Sequence, residues 1–227
     1  MEKRKFGRTN HMSTVAIFGA AALMHDDSDQ SDADLAIETA LNFGVNHIDV
    51  APSYGNAERL IGPWVKRMRN DFFLGCKTTE RTKQGALTEM HASLERLQTD
   101  HFDLYQSHSV NDLSELDKVT GSGGALEALI EAKKSGITPA LGITAHGMQA
   151  PAVLIEALNR FDFDSVLFPL NFILFGVPEY RETALKLIEL CQRKNVGMMT
   201  IKSIARGRWG NHEKNWAPWY EPFSDDV

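Results

Sequence analysis

Seven short apolar runs punctuate this chain at nearly constant spacing, and that rhythm leaves few folds open to it. The runs are Val15–Phe18, Val45–Asp49, Phe72–Lys77, Phe102–Ser107, Thr138–Thr144, Val166–Leu170 and Val196–Ile201. Their first residues are 30, 27, 30, 36, 28 and 30 positions apart. Between them lie stretches with helical periodicity. Ala33, Ala36, Ile37, Ala40 and Leu41 fall on one helix face. Ser31 is the expected N-cap, with Asp34 three residues on, and Gly44 stands where a left-handed C-terminal residue belongs. Leu87, Met90, Leu94 and Leu97 repeat the stripe, as do Leu126, Leu129 and Ile130 before Gly136. Pro178 suits a first helical turn, with Ala184, Leu185, Ile188 and Cys191 as the inward face of the helix it starts.

Strands alternating with helices give parallel βαβ units. So even a repeat favours an α/β barrel of the (β/α)8 TIM type over a doubly wound sheet. That design takes roughly 250 residues at about 30 per unit. An eighth strand would start near residue 226, and the sequence stops at Val227. The expectation is one barrel domain over residues 1–227, lacking the eighth strand-helix unit, in a fragment or shortened form of a longer protein. Lys3–Phe6 and His11–Thr14, joined by Gly7-Arg8-Thr9-Asn10, form an N-terminal hairpin closing the barrel bottom.

Composition narrows the function classes. A net charge of -6 offers no footprint for nucleic acid or an anionic membrane surface. Cys76 and Cys191 form neither a CxxC pair nor a disulfide framework, which suits a reducing compartment. No run reaches the roughly 18 apolar residues of a membrane span. The basic start before Val15–Met24 imitates a targeting signal, but Gly19 interrupts the run and a buried strand is the better reading. A cytoplasmic protein is expected. Lys66, Arg67 and Arg69 read as a solvated helix face. His25, Asp26 and Asp27 read as part of an acidic loop without metal-ligand geometry, so no metal is expected. Gly121–Gly124 lacks the lysine of a phosphate loop and reads as a flexible lead into a helix.

Catalytic groups of such barrels sit at the C-terminal ends of the strands. Reading those ends in order gives Asp49, Lys77 and His108, with Tyr54 in the loop after Asp49. Asp49 would keep Lys77 charged. That charge would lower the pKa of the Tyr54 phenol and make it a proton donor and acceptor, with His108 orienting a carbonyl oxygen. Each residue alone also fits a structural ion pair, a packed loop tyrosine or a core histidine, as expected for His47. Convergence of the four on one face favours a site.

These residues carry a family resemblance. His47-Ile48-Asp49-Val50-Ala51-Pro52-Ser53-Tyr54-Gly55-Asn56-Ala57-Glu58 resembles the aspartate-to-tyrosine signature of the aldo-keto reductases. Phe72–Thr78 is similar to their lysine strand, Asp103–His108 to their histidine strand, Phe6–Thr9 to their N-terminal hairpin and Gly142–Thr144 to the strand whose hydroxyl meets the nicotinamide amide. The resemblance implies reversible hydride transfer between NADPH and a small aldehyde or ketone, with NAD as the other possible cofactor. It implies Tyr54 as proton donor, Lys77 and Asp49 as its tuners and His108 as the carbonyl-orienting group. Cofactor contacts would come from Thr144, Asn171, Lys202, Arg206 and Gly207. The chain departs from the pattern at Leu167, where many members carry glutamine, and at Ile201, where an aromatic stacks on the nicotinamide.

Two other functions fit the same residues. Ile201 and Leu167 motivate a non-catalytic, nucleotide-binding barrel that reports redox state. A strand-end lysine also suits a Schiff-base lyase using Lys77, although Asp49 should keep that lysine protonated and unreactive. Trp209, Trp216, Trp219, Tyr220 and Phe223 crowd the last stretch, either as packing across the barrel mouth or as a wall of the substrate pocket.

Overall fold

Each of the seven apolar runs supplies a strand, and the strands lie side by side in chain order. The computed structural model describes residues 1–25, 28–211, 213 and 220–222. After a hairpin of β1 (Lys3–Lys5) and β2 (Met12–Thr14) come β3 (Phe18–Gly19), helix α1 (Gln30–Asn42), β4 (His47–Asp49) and α2 (Ala57–Met68). Then follow β5 (Phe73–Thr78), α3 (Lys83–Leu97), β6 (Leu104–Ser107), α4 (Leu113–Thr120), α5 (Ala125–Ser135) and β7 (Ala140–Thr144). The last units are α6 (Ala150–Arg160), β8 (Ser165–Pro169), the short α7 (Phe172–Phe175), α8 (Pro178–Lys194) and β9 (Gly197–Ile201). Beyond them β10 (Ala205–Arg208) pairs antiparallel with β11 (Tyr220–Pro222). Strands β3 to β9 form one parallel seven-stranded sheet, a curled half-barrel of the (β/α)8 type that, among the described residues, lacks the last unit.

Side-chain alternation divides the sheet into two faces. One carries Phe73, Leu104, Ala140, Leu167 and Met199, which pack with Phe6 as the lining of the half-barrel. The other carries Leu74, Cys76, Tyr105, Leu141, Ile143, Val166 and Phe168, which join the helices in the main core. Phe6 plugs the lower end of the lining. Gly7, at φ +54°, turns the hairpin against β9, and a Cβ there would stand 2.2 Å from the Gly197 nitrogen. Arg8 fastens the hairpin through Asp162 at 2.9 Å and Asp164 at 2.8 Å.

Local details depart from the sequence expectations. The first barrel strand is shorter than its apolar run, because Val15 is drawn into the hairpin by a bond to the Glu2 carbonyl. Helix α1 is capped by Asp29, not Ser31. Asp29 accepts from the Ser31 and Asp32 backbones, and Asp32 returns a bond to the Asp29 N–H, so the capping box starts two residues earlier. On α8, Leu185 is exposed and Leu187 takes the inward place, with Ala184 and Cys191. Arg69 is no solvated cation, since it pairs with Asp103 at 2.8 Å and bonds the His101 carbonyl. Gly124 is the N-cap of α5, and Asp26 and Asp27 lie outside the described residues. Among the described residues no helix is long and apolar enough to cross a membrane, and no three potential metal ligands converge.

Between the edges β3 and β9 a cavity of about 890 Å³ opens along the half-barrel. Gly19, Asp49, Leu167, Met199, Ile201 and Lys202 are among its walls.

Candidate active site

The sheet register assembles the reactive groups. Asp49 ends β4 opposite Gly75 of β5, and Lys77 stands two residues further up that strand, opposite Gln106 of β6. A Cβ on Gly75 would lie 3.4 Å from Asp49 Oδ1, so glycine leaves the carboxylate its room. Lys77 is fully buried and reaches back across this gap. Its Nζ donates to Asp49 Oδ2 at 2.5 Å, to the Val50 carbonyl at 3.0 Å and to the Tyr54 hydroxyl at 3.3 Å. Three acceptors thus match the three ammonium protons. Gln106 completes the shell by donating to Asp49 Oδ1 at 3.1 Å. His108 follows β6 directly, and its ring centroid lies 5.9 Å from that of Tyr54 at 85°.

The electrostatics follow from burial and from the ion pair. Burial works against the Lys77 ammonium, but Asp49 and Tyr54 outweigh it and hold the lysine pKa above its ordinary value. Burial raises the Tyr54 pKa. Lys77 pulls it down, but not far enough, so the phenol titrates above its ordinary value and the expected lowering is not found. The corrected picture is a phenol that keeps its proton at neutral pH. His108 is pushed down to about 3 by burial and by the charge of Lys77, and is neutral at physiological pH.

Three neighbours of this cluster escape a reading confined to the strand-end charges. Gln106 orients Asp49. Ser53 Oγ lies 3.4 Å from His108 Nδ1. His146, two residues beyond β7, sets its ring 5.9 Å from His108. Extending the strand-end rule to the segment Thr144-Ala145-His146 would have found the last. His47 belongs elsewhere. It is buried beneath the hairpin, with Nδ1 2.9 Å from Ser13 Oγ and Nε2 unpartnered among the described residues, so it is only half satisfied.

The five cofactor candidates are held by separate local contacts. Thr144 ends β7, and its Oγ1 accepts from the Ser109 N–H at 2.9 Å. Asn171 caps α7 by accepting from the Leu174 N–H at 2.9 Å. Lys202 takes a left-handed φ of 62°, with Nζ 4.7 Å from the Tyr220 ring centroid. Arg206 pairs with Glu221 at 3.0 Å, and Gly207 faces Glu221 in the β10–β11 register. Leu167 and Ile201 are apolar walls of the cavity, and Tyr220 is another; Trp216, Trp219 and Phe223 lie outside the described residues.

The family model "Aldo/keto reductase family" matches residues 16–218. The chain belongs to the aldo/keto reductase family. Among its relatives is L-galactose dehydrogenase of Arabidopsis thaliana, 27% identical over 91% of this chain and 66% of that protein. The chain covers 66% of the length of that relative, 43% of an aldo-keto reductase of Bacillus subtilis and 34% of one from Strobilurus tenacellus. The holo form of an aldo-keto reductase from Bacillus halodurans superposes with a TM-score of 0.74 at 25% identity, over 95% of this chain and 72% of that one. A Klebsiella pneumoniae aldo-keto reductase in complex with NADPH shares the fold at 18% identity, with a TM-score of 0.70 over 88% of this chain and 68% of its own.

Proposed function

We propose that this aldo/keto reductase transfers a hydride between NADPH and an aldehyde or ketone, with Tyr54 as the proton donor. The observation that carries the reading is the Tyr54 hydroxyl on Lys77 Nζ, which is itself locked to buried Asp49. A bound nicotinamide would supply the hydride that the carbonyl carbon accepts. As that bond forms, the carbonyl oxygen takes the Tyr54 proton, and the phenolate left behind is stabilised by the Lys77 ammonium at hydrogen-bond distance. His108, neutral, donates to the same oxygen and orients it. In the reverse direction the phenolate takes the alcohol proton. Lys77, its pKa held above the ordinary lysine value by Asp49, is poorly suited to Schiff-base chemistry, which needs the free amine.

The residues present fit a nicotinamide cofactor at its reactive end. The cavity runs from Asp49 to Lys202, its apolar walls Leu167 and Ile201 suit a flat ring, and Lys202 suits a phosphate. Thr144 and Asn171 would add hydroxyl and amide contacts. Arg206 is already paired with Glu221, so we expect modest affinity and little preference for NADPH over NADH.

The test is NADPH oxidation by the purified chain over a panel of aldehydes and ketones. Turnover that disappears in Tyr54→Phe is the expected result. Tight cofactor binding without turnover of any carbonyl would replace this reading with the nucleotide-binding sensor. Absence of both binding and turnover would refute the reductase and the sensor alike.

A further inference from the structure

Arg81 stands in the loop between β5 and α3, beside the reactive cluster, and the reduction step gives it no task. Its side chain is only 20% exposed. Nη2 donates to the His108 carbonyl at 2.9 Å and to the Ser109 carbonyl at 3.1 Å. Nη1 donates to the Thr79 carbonyl at 2.8 Å, and Nε pairs with Glu115 in the first turn of α4. Between the two converging carbonyls lies Ser109, at φ 56°, a left-handed backbone that a serine keeps only where its surroundings over-determine it. The rest of the turn is held by the neighbouring strands. The His108 N–H donates to the Thr78 carbonyl at 2.8 Å, the Ser109 N–H to Thr144 Oγ1 at 2.9 Å and the Val110 N–H to the Thr144 carbonyl at 2.8 Å. Thus β5 and β7 take the donors of this turn, and Arg81 takes its acceptors. Arg81 is itself anchored, since its carbonyl accepts from the Ala125 N–H at 2.9 Å where α5 begins. Its charge also reaches the ring: with burial, Lys77 and His146, it helps to hold His108 neutral.

We propose that Arg81 is a positioning residue: by gripping the carbonyls on both sides of Ser109, it holds the turn that sets the direction of the His108 imidazole. In this role it acts through His108 and not on the substrate. The inference rests on the reductase reading for what His108 does, and not for the grip itself. A guanidinium suits the task because one nitrogen serves two converging carbonyls while Nε stays on Glu115. A lysine ammonium would keep the charge and lose the fork. With the arginine gone, both carbonyls lose that donor and the left-handed turn loses the contact that fixes it. The ring then drifts from the geometry on which the reaction depends, and small misplacements of a reacting group are costly in rate.

The experiment is a double-mutant cycle on the kcat and KM of NADPH-dependent reduction of 4-nitrobenzaldehyde. Arg81→Gln should lower kcat by about tenfold or more with the NADPH KM unchanged, and Arg81→Lys, which keeps the charge, by less. In a His108→Ala background the same Arg81→Gln change should cost less than about twofold, because the ring it positions is already gone. Equal losses in both backgrounds, no loss in either, or a rise confined to the NADPH KM would overturn the proposal. A second measurement needs no turnover. In ¹⁵N spectra of the imidazoles at pH 7, Arg81→Gln should shift or broaden the His108 signals and leave those of His47, at the other end of the sheet, as they are. Unaltered His108 signals would contradict the grip. Equal changes at His47 would make Arg81 a support of the fold at large and overturn the proposal as well. If the wild-type chain turns over no carbonyl, the reductase reading fails by itself, and the ring signals still decide whether Arg81 holds His108. They also decide it if His108→Ala is too slow to measure.

Discussion

A pair of histidines, one buried and one half-buried, stands at each end of the sheet, and the pairs are close to identical as ring geometry. Below, His11 and His47 stand 5.8 Å apart at 81°; above, His108 and His146 stand 5.9 Å apart at 70°. Their surroundings differ. The lower pair is walled by Phe6 and Phe73 and stoppered by the hairpin, and both Nε2 atoms are buried without partners among the described residues. The upper pair lies beside a buried ammonium, a carboxylate and a phenol. Burial alone pushes an imidazole toward neutrality and gives it nothing to act on. What sets the upper end apart is the Lys77–Asp49 pair, which sheet register places within reach of Tyr54. Parallel strands concentrate that chemistry at their C-terminal ends, while the N-terminal ends serve stability.

Breaking the ion pair should separate the two ends most sharply. Lys77→Met leaves Asp49 buried with Gln106 as its remaining side-chain partner. It should cost about 3–5 kcal/mol in urea unfolding as well as abolish turnover, because an uncompensated buried charge remains. Adding Asp49→Asn should restore much of the stability and none of the activity. Stability unchanged in the single variant would mean that the pair is not buried as described.

Tyr54→Phe removes only the hydroxyl proposed as proton donor. Turnover should fall by about 10³-fold, in the range of a general acid, while the chain loses about 1 kcal/mol from one lysine hydrogen bond. A variant that retains a tenth of wild-type activity would move the proton donor elsewhere.

The smallest effect is shared by both ends. His47 and His108 both titrate at about 3, with burial as the chief cause, against an ordinary value near 6.5. Between those values the unfolded chain binds protons that the folded chain refuses. Their contribution to stability is therefore complete above about pH 6.5 and lost as pH falls toward 3. From pH 7 to 5 each should cost about 2 kcal/mol, and His47→Gln should flatten the profile by one histidine's share. An equally steep profile in that variant would place the acid sensitivity in other groups.

Much of this was legible in the sequence, for reasons that also mark the limits. A period of about 30 residues fixes the strands, and parallel strands in register bring Asp49, Lys77 and His108 to one end of the sheet, each two positions further up than the last instead of at one level. Spacing says nothing about dielectric, so the sign of the Tyr54 shift came out wrong: proximity to Lys77 can be read from the motif, the weight of burial cannot. The α1 cap slipped because Ser31 and Asp29 carry equally good capping side chains two residues apart. Leu185 and Leu187 are both apolar, and only packing tells which turns inward. The β10–β11 pairing joins strands of four and three residues across an eleven-residue connection, too short and too distant for periodicity to reveal.

The central claim, that the upper end of the sheet reduces a carbonyl by hydride transfer, is tested most directly by isotope tracing. The chain would be incubated with NADPH deuterated at the transferable C4 position and an aldehyde, and the alcohol analysed by mass spectrometry and NMR. One deuterium bound to the former carbonyl carbon, at a rate that collapses in Tyr54→Phe, is the predicted result. Cofactor bound and unconsumed, or alcohol formed without deuterium on that carbon, would contradict it.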